Sequence, residues 1–220
     1  MADDLALREQ LVAAMRRLDQ LGLNRGSTGN GSVRGSAGGG YWITPTGMGA
    51  EIGADDLVWM GDDGSVRGTW QPSSEAPFHR AIYDARADLH AVVHAHCVHA
   101  TALACLRSAL PAFHYMVAVA GGDSVPCVPY HLFGTQTLSR AVARAFGDRH
   151  ACLLANHGLV AGGTSLAHAM RVAVEVESLC ETYLAALAAG EPALLSRDEM
   201  AAVITRFNDY RPTRRSSSAP

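Results

Sequence analysis

The chain has 220 residues, of which 48% are hydrophobic, and this is enough to bury the core of a single α/β domain. Its 18 Lys and Arg residues stand against 21 Asp and Glu residues, which gives a net charge of −3 at pH 7. A charge this close to zero provides no basic surface for nucleic acid or for an anionic membrane, so neither is expected as a partner. We expect the chain to act on a small molecule.

Residues 1–18 begin acidic and contain no long apolar run, which argues against a secretory signal. No later segment approaches the apolar length that a membrane span requires. The five cysteines are scattered and form no C-x-x-C pair, so we predict neither a disulfide framework nor a thiolate metal site. These features predict a cytoplasmic protein whose cysteines are reduced.

Apolar residues at helical spacing between positions 7 and 18 predict an amphipathic first helix that ends near Gly22. Residues 24–40 are rich in Gly, Ser and Asn, which predicts a loop, or a loop with a short strand. Residues 41–44 have the composition of a strand. Residues 57–68 predict a hairpin that turns at Asp63 and Gly64.

A second helix is expected directly after Ser73 and Ser74, where free N–H groups favour an anion. The elements predicted after it are a strand over residues 91–93, a helix over 97–106, a strand over 124–130, a helix over 137–146, a strand over 151–155, a long final helix over 169–184 and a mobile tail over 211–220. Several neighbouring strands are joined too tightly for crossover helices. We therefore predict one three-layer α/β domain over residues 1–210, with helices flanking a mainly antiparallel sheet.

Two histidines at the end of the strand over residues 91–93 predict a metal site. Side chains alternate along a strand, so His94 and His96 project on the same side and can reach one ion. His157 follows the strand over 151–155, where a loop residue can turn inward as a third ligand. Three imidazoles with one open position are typical of a catalytic site. However, the chain has 10 histidines, and an H-x-H pair alone also occurs without a metal.

Glu75 lies at the expected start of the second helix and has two interpretations. The helix dipole favours an acidic residue in a first turn without any function. Alternatively, the carboxylate ligates the metal at rest and, once displaced by substrate, accepts a proton from carbon. Because both interpretations fit the position, the sequence context leaves them open.

Hydroxyl and N–H groups that could converge on a phosphate occur in separate polar turns, at Asn30, Thr46, Gly47, Ser73 and Ser74. Each of them is also ordinary turn chemistry. Tyr115 lies in an apolar stretch, and its position alone predicts a packed aromatic. Structural roles are expected for three further histidines, His99, His114 and His131.

The order of short motifs along the chain resembles the class II aldolase and sugar-phosphate epimerase family. The motifs are S-T-G-N over residues 27–30, I-T-P-T-G over 43–47, P-S-S-E over 72–75, V-V-H-A-H-C-V-H over 92–99, H-Y-M over 114–116 and N-H-G-L over 156–159. The similarity extends from Leu21 to about Tyr210. Within the family, the motifs are most similar to those of the L-fuculose-1-phosphate aldolases.

The resemblance implies a central antiparallel sheet flanked by helices, in a homotetramer of C4 symmetry with active sites between subunits. It implies Zn²⁺, with Mn²⁺ or Co²⁺ as substitutes, held by His94, His96, His157 and Glu75. It makes Glu75 the acid/base and lets Tyr115 act on the aldehyde-side oxygen across the interface. The phosphate-binding positions it implies are Asn30, Thr46, Gly47, Ser73 and Ser74, and the apolar aldehyde-side positions are Phe133, Phe207 and Tyr210.

The implied reaction is reversible cleavage of a ketose 1-phosphate into dihydroxyacetone phosphate and a small aldehyde. An apolar aldehyde end suits L-fuculose 1-phosphate, 5-deoxyribulose 1-phosphate and 5-methylthioribulose 1-phosphate alike. The alternatives are a pentulose 5-phosphate 4-epimerase, a methylthioribulose 1-phosphate dehydratase and a non-catalytic adducin-type scaffold. His114 stands where the epimerase pattern has an aspartate, and the retained histidines with Glu75 argue against a scaffold.

Overall fold

The computed structural model describes residues 4–209. Its α-helices are α1 (Leu5–Gln20), α2 (Ala76–Ala85), α3 (Val98–Cys105), α4 (Gln136–Phe146), α5 (Leu166–Ala189) and α6 (Arg197–Asp209). Its strands are β1 (Asn30–Arg34), β2 (Gly40–Ile43), β3 (Val58–Gly61), β4 (Val66–Arg67), β5 (Ala91–Ala95), β6 (Cys127–Val128), β7 (Ala151–Leu154) and β8 (Gly158–Gly163). Short 3-10 segments occupy Ala54–Asp56 and Tyr115–Ala120. The tail predicted over residues 211–220 lies outside the described residues.

The strands form one sheet in the order β4-β3-β2-β1-β5-β8-β7-β6. Every neighbouring pair is antiparallel except β6 and β7, which are parallel. Helices cover both faces, and the prediction of a mainly antiparallel sheet flanked by helices is confirmed. Among residues 4–209, none of the helices combines the length and the apolar character that crossing a membrane would take.

Side-chain alternation along the strands separates two core layers. On β5, Ala91, Val93 and Ala95 pack toward α1, α3 and α5, and we call this side of the sheet the α5 face. Val92 packs on the opposite side, among residues of α2 and α4, which we call the α2 face. By the same alternation His94 belongs to the α2 face, where its ring packs edge-on against Phe78 of α2.

Several elements differ from the prediction. Helix α5 is not the last helix, because Gly190 and Pro192 interrupt it and α6 follows. Ser196 and Glu199 begin α6 with a reciprocal capping box, since the Glu199 N–H donates to Ser196 Oγ at 3.2 Å and the Ser196 N–H donates to Glu199 Oε2 at 2.7 Å. This S-x-x-E signal is present in the sequence.

Strand β8 was also not predicted, because three of its residues are glycines, which are depleted in strands. The close approach of α5 explains one of them, since a Cβ on Gly163 would lie 2.4 Å from the Ala169 N atom. Pairing with β5 on one side and β7 on the other holds the strand in place. The strand predicted over residues 124–130 is present only as β6, over Cys127–Val128.

Candidate active site

Three histidines converge at one end of the neighbouring central strands β5 and β8. His94 is the next-to-last residue of β5, His96 follows the strand directly, and His157 lies in the turn between β7 and β8. One nitrogen atom of each ring lies within 4.8 Å of those of the other two. The Nε2 atoms of His94 and His96 are 2.9 Å apart. The geometry is therefore that of a three-imidazole group around one ion.

The protonation of these rings favours a metal. His94 Nδ1–H donates to the Leu159 carbonyl at 2.9 Å, which leaves the Nε2 lone pair facing the group. Burial and the neighbouring His96 lower the pKa of His94 to about 3. Burial and His94 likewise lower the pKa of His157 to about 4. Burial lowers the pKa of His96 as well. Neutral imidazoles at neutral pH are metal ligands, and their converging lone pairs repel one another unless a cation lies between them.

The carboxylate of Glu75 completes the group. Its Oε2 lies 3.1 Å from His94 Nε2, and its Oε1 lies 3.2 Å from His157 Nε2. Oε1 is buried and has no hydrogen-bond partner among residues 4–209. A buried carboxylate oxygen without a donor is costly, and a divalent cation held by the three histidines would compensate it. The donor set of three imidazoles and one carboxylate therefore fits Zn²⁺.

The side chain of Glu75 is not placed like that of a helix-capping residue. Glu75 is the residue before the first turn of α2, but its side chain caps none of that helix's N–H groups. Its backbone N–H instead donates to Ser73 Oγ at 3.2 Å, and the carboxylate turns away from the helix toward the histidines. Helix-start preference does not explain a carboxylate placed in this way.

A glycine lets the backbone approach the histidines closely. A Cβ on Gly158 would lie 2.6 Å from the Ala95 carbonyl oxygen and 3.1 Å from His96 Cδ2. Any larger residue would push β8 away from the end of β5, and His157 would move with it. Gly158 is therefore required by the packing of the two segments that carry the ligands.

The predicted phosphate residues line one cavity of about 530 Å³ together with Glu75, His96 and His157. Two backbone hydrogen bonds join the turns that carry them, because the Thr46 N–H donates to Gln71 O at 3.1 Å and the Ser73 N–H donates to Thr44 O at 3.0 Å. Gly47 adopts a positive φ of 69° in the first turn. The turns that carry Thr46, Gly47, Ser73 and Ser74 therefore lie in the same cavity as Glu75 and the histidines.

Asn30 lines the same cavity, but its side chain also makes two contacts within the protein. Its Nδ2 donates to Glu75 Oε2 at 2.8 Å, and its Oδ1 lies 2.6 Å from His79 Nε2. In the sheet, Asn30 on β1 is directly opposite His94 on β5. The residue predicted to bind phosphate is thus also a direct neighbour of the predicted acid/base.

The predicted aldehyde-side residues that lie within residues 4–209 do not line one common cavity. Phe133 lines the cavity beside the histidines. Tyr115 and Phe207, with ring centroids 6.5 Å apart, line a second cavity of about 600 Å³. Tyr115 is 50% exposed there and is not the packed aromatic that its position alone suggested. Tyr210 lies outside the described residues.

Sequence reasoning missed several residues of the site. His131, assigned a structural role, lines the cavity with Tyr130, and Asn156 lines it next to His157. His79 was missed entirely, although it follows Glu75 by four residues and so belongs to the same side of α2. That spacing was the available signal. The other two histidines that were assigned structural roles contact groups of the protein. His99 Nδ1 lies 2.9 Å from Glu177 Oε1, and His114 Nδ1 accepts from the Met116 N–H at 3.2 Å.

Comparison with known proteins gives the family of this chain. Residues 9–184 match the family described as class II aldolase and adducin N-terminal domain. The chain is 47% identical over 207 residues to the 5-methylthioribulose-1-phosphate/5-deoxyribulose-1-phosphate aldolase of Rhodospirillum rubrum, covering 94% of this chain and 93% of that protein. It is 44% identical over 206 residues to the L-fuculose phosphate aldolase of Escherichia coli, covering 93% and 95%.

A solved structure of an L-fuculose 1-phosphate aldolase superposes with a TM-score of 0.89 at 39% identity, covering 92% of this chain and 96% of that one. The similarity in sequence and the similarity in structure therefore each extend over more than 90% of this chain. The prediction of an enzyme is confirmed, and the chain belongs to the class II aldolase and adducin family.

Proposed function

We propose that this class II aldolase holds Zn²⁺ and reversibly cleaves a ketose 1-phosphate into dihydroxyacetone phosphate and a small aldehyde. The observation that carries the proposal is Glu75 Oε1, a buried carboxylate oxygen that faces three neutral imidazoles and has no hydrogen-bond donor among residues 4–209. The relatives named as aldolases of L-fuculose phosphate and of 5-deoxyribulose and 5-methylthioribulose 1-phosphates support the same substrate class.

The residues of the cavity have separate roles in the proposed reaction. When bound, Zn²⁺ acts as a Lewis acid that polarises substrate oxygens. The turns that carry Thr46, Gly47, Ser73 and Ser74 orient the phosphate through N–H and hydroxyl donors at the start of α2. With the phosphate held there, the adjoining carbonyl carbon of the substrate extends toward the histidines and Glu75.

Glu75 moves the proton at carbon. In cleavage the proton of the C4 hydroxyl passes to a base on the aldehyde side, for which Tyr115 of a neighbouring subunit is the candidate, the C3–C4 bond breaks, and the electron pair of that bond passes toward the C2 carbonyl oxygen. Glu75 then delivers a proton to C3, which completes dihydroxyacetone phosphate. In synthesis Glu75 removes that same proton. Because no group in the described part of the chain donates to Oε1, this oxygen is available for the exchange.

Tyr115 would act on the aldehyde-side oxygen from a neighbouring subunit of a homotetramer. Within one chain it lines a different cavity from the histidines, and it is half exposed beside Phe207. We expect Tyr115→Phe and His157→Ala subunits, each nearly inactive alone, to regain part of the activity when they are co-assembled. Only sites built across an interface can be complemented in this way, so no recovery in verified mixed oligomers contradicts the shared site.

The decisive experiment is a substrate panel. L-Fuculose 1-phosphate, 5-deoxyribulose 1-phosphate, 5-methylthioribulose 1-phosphate and pentulose 5-phosphates are offered separately, and release of dihydroxyacetone phosphate is followed by a coupled assay. We expect release from at least one 1-phosphate and a preference for an apolar aldehyde end. Interconversion of pentulose 5-phosphates, or loss of water from methylthioribulose 1-phosphate, without any release would overturn the aldolase proposal in favour of an epimerase or a dehydratase.

A further inference from the structure

Strand β1 and helix α2 meet through two matched rows of polar side chains. Along β1, Asn30 and Ser32 are two residues apart and point to the α2 face. Along α2 and the residue before it, Glu75, His79 and Tyr83 are spaced four apart and point back to the sheet. All five residues are buried, in a layer whose other members are mainly apolar.

The five side chains form one unbroken chain of hydrogen bonds. The Tyr83 hydroxyl lies 2.8 Å from Ser32 Oγ, and Ser32 Oγ lies 2.7 Å from His79 Nδ1. His79 Nε2 lies 2.6 Å from Asn30 Oδ1, and Asn30 Nδ2 lies 2.8 Å from Glu75 Oε2. Both ring nitrogens of the fully buried His79 are therefore in use.

The carboxylate at one end sets the direction of every bond. An amide oxygen facing Glu75 Oε2 would be repelled, so Asn30 must present Nδ2 to Glu75 and Oδ1 to His79. An amide oxygen only accepts, which places the single proton of a neutral His79 on Nε2. Nδ1 must then accept from the Ser32 hydroxyl, and Ser32 in turn accepts from Tyr83. Burial lowers the pKa of His79 to about 3, in agreement with a neutral ring.

We propose that His79 is a positioning residue for catalysis: by donating to Asn30 Oδ1 it fixes the Asn30 amide, which in turn holds Glu75 Oε2 and directs Oε1 to the reacting carbon. This inference rests on the proposed role of Glu75. His79 does not line the cavity, so it acts only through Asn30. Without His79 the Asn30 amide is free to turn over, and the carboxylate loses its anchor.

The test compares His79→Leu with His79→Gln in the zinc-loaded enzyme. Leucine removes the donor, whereas the glutamine amide can still donate to Asn30 Oδ1. The measurements are kcat and KM for cleavage, zinc content, and exchange of the C3 proton of dihydroxyacetone phosphate with D2O in the absence of aldehyde. Proton exchange reports the Glu75 step without the aldehyde side.

For His79→Leu we expect kcat and the exchange rate to fall about 10- to 100-fold while KM and zinc content stay the same. His79→Gln should recover most of both rates. Cys152→Ala is the matched control, because Cys152 is fully buried on the same face and outside the hydrogen-bonded chain. It should leave the exchange rate unchanged although it also loosens that core layer.

Unchanged exchange in His79→Leu, zinc loss in that variant, or failure of His79→Gln to recover would overturn the positioning role while leaving the proposed function intact. If wild-type enzyme neither cleaves a ketose 1-phosphate nor exchanges the proton, the proposed function itself fails. Should His79→Leu not fold, Ser32→Ala provides the second test. Without the Ser32 hydroxyl, Nδ1 of His79 loses its donor and the ring is held at Nε2 alone, so a smaller loss of exchange is expected, and unchanged exchange there would overturn the inference.

Discussion

Two glutamates lie in the interior on opposite faces of the sheet, and their surroundings differ. Glu177, on α5, has a side chain that is 14% exposed, and Glu75 has one that is 8% exposed. Glu177 Oε1 accepts from the His99 N–H at 2.9 Å, and Oε2 accepts from the Ala100 N–H at 2.8 Å. It therefore caps the start of α3, for which Cys97 provides no side-chain cap. Both of its oxygens have donors from the protein.

The carboxylate of Glu75 accepts no backbone N–H bond from α2, and one of its oxygens has no donor at all among the described residues. A carboxylate whose hydrogen-bonding capacity is filled by backbone N–H groups stabilises the fold, because those N–H groups would otherwise be unpaired. A carboxylate with an oxygen left open beside three imidazoles is arranged for a ligand. The same residue type at similar burial thus has two roles, which the neighbours determine.

The largest expected difference between the two regions comes from removing the metal. Prolonged chelation should abolish turnover, and added Zn²⁺ or Co²⁺ should restore it, because the proposed reaction needs a Lewis acid held by the three histidines and Glu75. The region around Glu177 should be unaffected, so helical circular dichroism at 25 °C should persist. Full activity in protein shown by elemental analysis to be metal-free would contradict the site.

Glu75→Gln should have the next largest effect. The amide keeps the shape of the side chain but cannot carry the proton, so turnover should fall on the order of 10²-fold or more. Zinc content and the midpoint of thermal unfolding should stay close to wild type. A near-normal rate would show that Glu75 is only the residue at which α2 begins.

Glu177→Gln is the matched change on the α5 face and should affect stability. One oxygen becomes an NH2 group facing N–H donors at the start of α3, which should lower the free energy of unfolding by about 1.5–3 kcal/mol. Denaturant titration measures this loss, and kcat of the folded protein should remain within a few-fold of wild type. If turnover falls as far as in Glu75→Gln, the division between the two carboxylates is wrong.

Tyr83→Phe should have the smallest effect. It removes only the hydroxyl at the end of the polar chain farthest from Glu75, while the ring remains packed against Tyr41 at 5.1 Å between centroids. We expect a loss of about 1 kcal/mol in unfolding free energy. The rate should hardly change, because Ser32 can still donate to His79. A rate loss as large as that of His79→Leu would mean that the five hydrogen-bonded side chains act as one unit.

The convergence of the three histidines could be predicted because its signals are local. The two-residue repeat of β5 places His94 and His96 on one side, and the end of β7 turns His157 inward. Strand β8 was not predicted, because its glycines suit close packing against α5 and not a strand composition. Helix α6 was missed although Ser196 and Glu199 carry the capping box. The predicted helices ended with α5, so the helix that begins after this capping box was not included.

By itself, the sequence determined the helical and strand periodicities, the position of each histidine relative to a strand end, and the polar turns that line the cavity. Only the tertiary structure decided where the side chain of Glu75 points. That direction depends on the pairing of Asn30 with His94 across β1 and β5, and on the docking of α2 on the same face. Both are contacts between distant segments, and local periodicity carries no information about which segments will meet.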